Sequence, residues 1–122
     1  MKHQSTCHCG TVELALNLPD GLQGMLRCNC SMCVRRGTIA ATVPIADLTV
    51  VKGGENLTLY QFNTTTAKHY FCKTCGIYTH HQRRTDPNTY GVNIACIKGI
   101  DPYAQTGVTM SDGQNHICDR IK

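Results

Sequence analysis

The chain has 122 residues, 41% of them apolar, with two phenylalanines and no tryptophan. That length suits one domain, 1–122, whose modest core needs reinforcement beyond apolar packing. The formal charge is +4, yet the only basic pairs are Arg35-Arg36 and Arg83-Arg84, and no stretch approaches membrane-spanning length; both facts argue against a nucleic-acid footprint or a membrane anchor.

Taken in order, the chain opens on Met1–Thr6, which lacks the apolar run of a signal peptide. A reducing cytoplasm is the expected compartment. After Cys7-His8-Cys9-Gly10, the residues Val12, Leu14, Leu16 and Leu18 alternate with others, as in a half-buried strand that Pro19-Asp20-Gly21 ends. Met25 to Cys28 predicts a short strand entering a three-cysteine loop, which Val34 to Gly37 closes. Thr38 to Val43 is small and β-branched, a strand stopped by Pro44. Ala46 to Lys52 is mixed and is broken by Gly53-Gly54. Leu57 to Phe62 is a strong strand signal. It pairs as a hairpin with Ala67 to Cys72, which runs into Cys72-Lys73-Thr74-Cys75-Gly76. Ile77 to Gln82 leaves as another strand, Arg83 to Asn88 is a polar loop, and Tyr90 to Ile97 is a late core strand. From Asp101 onward the chain is polar. No long helical periodicity appears, so the fold class is mainly β, built of short antiparallel strands with knuckles at their ends.

Seven of the nine cysteines fall into three short clusters. In a reducing compartment, cysteines grouped two or three apart are metal ligands rather than disulfides. A Cys-x2-Cys turn ending in glycine is half of a tetrahedral zinc site. Cys7 and Cys9 therefore join Cys72 and Cys75 around one zinc, and Cys28, Cys30 and Cys33 hold a second with an open position. Closed sites support folding and open sites support chemistry. Two alternatives stand beside this: one four-cysteine zinc with three spare thiols, or a further protein ligand closing the second site. With seven ligating thiolates contributing −7 and two zinc ions +4, the loaded chain sits near +1.

The remaining candidates carry weaker signals. Cys96 reads as a small buried residue of the last strand and Cys118 as a tail thiol; either is a possible fourth ligand. His80 and His81 are adjacent on a strand and face opposite sides, so one of them can approach a zinc as a proton shuttle. His69 is at most a neighbour of the ligands, His8 points away from its knuckle, and His116 is a tail residue able to fold over the site.

The order Cys-x-Cys-Gly (Cys7–Gly10), Cys-x-Cys-x2-Cys (Cys28–Cys33) and Phe-Cys-x2-Cys-Gly (Phe71–Gly76) resembles the glutathione-dependent formaldehyde-activating enzyme family, also called the centromere protein V domain family. Gly54 to Tyr60 and Tyr90-Gly91-Val92-Asn93 agree as well. The resemblance implies an Mss4-like β-tent, a structural zinc on Cys7, Cys9, Cys72 and Cys75, and a catalytic zinc on Cys28, Cys30 and Cys33. It implies a carbon–sulfur lyase of formaldehyde detoxification that joins glutathione and formaldehyde into S-(hydroxymethyl)glutathione. Glutathione has two carboxylates, and Arg35 and Arg36, directly after the triad, are the nearest anchors for them. The competing expectation is a non-catalytic zinc module that binds a protein or nucleic acid.

Overall fold

A computed structural model describes residues 2–62 and 65–115. Strands dominate, in two sheets. The smaller sheet orders β1 (Lys2–Thr6), β2 (Glu13–Asn17) and β5 (Leu48–Lys52), with β2 in the middle and both neighbours antiparallel to it. The larger sheet contains β3 (Leu26–Cys28), β4 (Ala40–Pro44), β6 (Leu57–Tyr60), β7 (Lys68–Cys72), β8 (Tyr78–Gln82), β9 (Thr89–Asn93) and β10 (Thr109–Ser111). Its order is β10-β3-β4-β9-β8-β7-β6, antiparallel except for the β10–β3 pair. A bridge from Ser5 to Ile97 ties the two sheets together.

The alternation along and beside β2 sets the core. Val12, Leu14 and Leu16 are fully buried and Leu18 nearly so. They pack in one cluster with Ile39, Ala41 and Val43 around β4, and with Val92, Ile94 and Ile97. Cys7 and Cys72 belong to the same cluster, so the knuckles are anchored in the core rather than appended to it. Among the described residues, no helix is long and apolar enough to cross a membrane.

Local structure departs from the sequence reading in four places. Ser31–Arg36 forms a short helix, α1, instead of a loop. Its cap is Cys30, whose sulfur accepts from the Cys33 N–H, and Gly37 ends it at φ 64°. Six residues are too few to display a helical period. β1 and β10, both polar, were not anticipated. Finally, Ile94–Cys96 is a 3-10 turn capped by Asn93, so Cys96 lies beyond the strand and not within it.

Gly53 is fixed by close packing against backbone. Gly53 has φ 77°, and a Cβ there would lie 2.1 Å from the Thr11 carbonyl oxygen, which is backbone and cannot swing away. Gly53→Ala should cost about 2–4 kcal/mol and lower Tm by roughly 10 °C. A thermal melt checks this, and a shift under about 2 °C would contradict it.

Candidate metal centres and the adjoining cleft

The knuckles meet as two separate groups. The sulfurs of Cys7, Cys9, Cys72 and Cys75 all lie within 4.8 Å of one another. Cys9 Sγ is 3.6 Å from Cys7 Sγ and 3.7 Å from Cys72 Sγ. Four sulfurs about 2.3 Å from a central zinc would be separated by about 3.8 Å, so these spacings fit the ion. N–H groups point at the sulfurs: Val12 N–H donates to Cys7 and Asn56 Nδ2 to Cys72, each at 3.3 Å. Such donors stabilise thiolates over thiols. Burial pushes the Cys7 thiol above its ordinary pKa, whereas Thr11 holds Cys9 below it.

Cys28, Cys30 and Cys33 form the second group, also within 4.8 Å. β3 delivers Cys28, and α1 carries Cys33 one turn beyond its cap Cys30. Hydrogen bonds from Cys30 and Cys33 hold the Cys28 thiol far below its ordinary pKa, and the same bonds push Cys33 far above. A bound cation would let all three sulfurs ionise together. Residues of the last described segment cover one side. Asn29 Nδ2 donates to Asp112 and Asn29 Oδ1 accepts from the Gln114 N–H. A Cβ on Gly113 would lie 2.3 Å from Cys28 Sγ, so glycine alone fits that seat.

The other side is open. A cleft of about 110 Å³ is lined by all three of these cysteines and by none of the first four. Its walls include Phe62, His69, Tyr78, His81, Arg36, Arg83 and Arg84. Tyr78 Oη lies 2.5 Å from His81 Nδ1 and 3.2 Å from the Gly91 carbonyl. Gly91 leaves room for the ring, since a Cβ there would meet His81 Cε1 at 2.4 Å. Arg36 lies over the Tyr78 ring, 3.8 Å from its centre. Burial, reinforced by Arg36 and Arg84, pushes His69 down to about 4, and burial lowers His81 well below its ordinary value. Both imidazoles are therefore neutral at pH 7.

The model of the glutathione-dependent formaldehyde-activating enzyme family matches residues 2–110. The chain belongs to this family. A crystal structure of a Rhodobacter sphaeroides protein is similar to it at 56% sequence identity and a TM-score of 0.83, over 88% of this chain and 99% of that one. The β architecture with cysteine knuckles is that of the Mss4-like formaldehyde-activating family.

This family member brings all seven knuckle cysteines into the two groups drawn from spacing. The histidine pair splits as a strand requires. His81 lines the cleft, while His80 is buried away from it, bonded to Thr79 Oγ1 at 2.8 Å and stacked on Tyr70. His69 reaches the cleft and His8 is exposed. Arg36 enters the cleft; Arg35 is exposed and donates to the Ser31 carbonyl at 2.8 Å. Cys96 is in neither sulfur group, its Sγ 3.7 Å from the Tyr78 carbonyl. His116 and Cys118 lie outside the described residues. The residues that sequence reasoning passed over are Tyr78, Arg83, Arg84 and Gly113. Only the Arg83-Arg84 pair carried a visible signal, and its polar loop disguised it.

Proposed function

We propose that this chain is a single-domain, zinc-dependent carbon–sulfur lyase acting on small thiol adducts, with S-(hydroxymethyl)glutathione formation from glutathione and formaldehyde as its reaction. The observation that carries the reading is the asymmetry between the sulfur groups: the three-cysteine group opens onto a cleft and the four-cysteine group does not. Cys7, Cys9, Cys72 and Cys75 would hold a structural zinc. Cys28, Cys30 and Cys33 would hold a second ion with a position left for substrate.

Zinc held there would lower the pKa of an incoming thiol, and the thiolates of Cys28, Cys30 and Cys33 would keep that sulfur electron-rich. The reaction makes one carbon–sulfur bond and breaks the π bond of the aldehyde. The proton lost by sulfur ends on the new hydroxyl, and nothing is oxidised. Tyr78 Oη and His81 Nδ1 form the hydrogen-bonded pair in the cleft that can hold a proton. Arg36 is an anchor for a substrate carboxylate, fixed by its packing on Tyr78. Phe62 and the apolar wall at Leu26 and Ala40 limit water around the reacting sulfur.

A native mass spectrum with glutathione present tests the reading. Two zinc ions and one glutathione per chain are expected, together with accelerated conversion of labelled formaldehyde followed by NMR. One zinc and no glutathione would leave a structural zinc module without this chemistry.

A further inference from the structure

We infer that Arg83 and Arg84 form an oxyanion seat in the cleft, and that the thiol taken by this chain is a small acidic one whose carboxylate they receive. The inference rests on the thiol-adduct reading above and narrows its substrate class.

The argument starts from unmade hydrogen bonds. Nε and Nη2 of Arg83 and Nε of Arg84 are buried and have no hydrogen-bond partner among the described residues. A buried guanidinium donor without an acceptor costs stability, so a native fold retains it where an acceptor arrives from outside. Both side chains line the cleft that opens onto Cys28, Cys30 and Cys33, and no acidic residue lines it among the described residues. Burial pulls the Arg83 pKa down, and Tyr78, Asp86 and Cys33 only partly offset it.

Charge balance points the same way. A zinc ion with three thiolates carries −1. Arg36, Arg83 and Arg84 together supply three positive charges at the cleft wall, so two remain for an incoming anion. The fork of donors on an arginine matches a carboxylate with two parallel hydrogen bonds. Size limits the rest. About 110 Å³ is well below the roughly 300–1,000 Å³ that encloses a drug-sized ligand. The cleft therefore takes a thiol arm with one carboxylate, and the remainder of a larger thiol stays outside.

Calorimetric titration of the zinc-loaded chain with 3-mercaptopropionate and with 2-mercaptoethanol separates the possibilities. The acidic thiol should bind at least tenfold more tightly. In Arg83→Gln and Arg84→Gln, each checked for zinc content and Tm, its affinity should fall about tenfold while mercaptoethanol binding is unchanged. Equal binding of the two thiols to the unaltered chain would overturn the oxyanion seat and leave the thiol reading standing. Binding of neither would overturn both.

Discussion

Cys72→Ser should leave a chain with no cooperative thermal transition at 25 °C or above. Cys72 is fully buried at the end of β7, packed in the main core, and accepts a hydrogen bond from Asn56 Nδ2 at 3.3 Å. Serine supplies a hard oxygen where zinc prefers soft sulfur, and it places a hydroxyl in an apolar setting. Structural zinc contributes about 10–16 kcal/mol in isolated finger peptides, whereas a whole domain is stable by only about 5–15 kcal/mol. With the four sulfurs holding zinc as proposed, losing one of them removes more than the core alone can supply. Circular dichroism and metal content read the outcome together. A variant that keeps the native spectrum and melting temperature would show that the four-sulfur group is not what holds the sheets together.

Cys30→Ser should behave in the opposite way, folding normally with one zinc ion and losing turnover by roughly a thousandfold or more, about 4 kcal/mol of transition-state stabilisation. Cys30 does two jobs. Its sulfur belongs to the open group, and it caps α1 by accepting from the Cys33 N–H at 3.3 Å. Serine is among the best helix caps, so the second job survives the exchange while the soft ligand is lost. Turnover near the level of the unaltered chain would sink the catalytic reading. An unfolded protein would show that the second ion is structural too.

The contrast between these variants rests on groupings that the sequence already displayed. Cysteines a few residues apart on tight turns must aim their sulfurs together, and Val12, Leu14, Leu16 and Leu18 declare a buried face by their spacing alone. Both signals are local. What escaped was decided by distant partners. β10 is polar and three residues long, and it becomes a strand only because β3 lies alongside it. Lys2–Thr6 is polar as well and is ordered by pairing with β2. The loop from Arg83 to Asn88 was placed correctly as a loop, but its first two arginines are drawn into the cleft by the way β8 ends. A polar segment gives no warning that its side chains will be buried without partners. Asn93 shows the same limit on a small scale: its side chain caps a turn at Ala95 and bonds the Tyr78 carbonyl, so the extended run stops earlier than its apolar composition suggests.

The seat of Gly113 against Cys28 and Cys30 has a consequence for the order in which the protein is made. A ribosome releases the chain from its N-terminus, and segments fold as they emerge. Cys28, Cys30 and Cys33 leave the exit tunnel before Cys72 and Cys75, and the four-sulfur group is complete once Cys75 is out. The segment that covers the three sulfurs, Ser111 to Gly113, is made about 80 residues after Cys33. Until that segment emerges, the trio is open on the side it will cover, exposed to whatever metal or oxidant the surroundings hold. Its final shape is set by a segment made well after the sulfurs themselves.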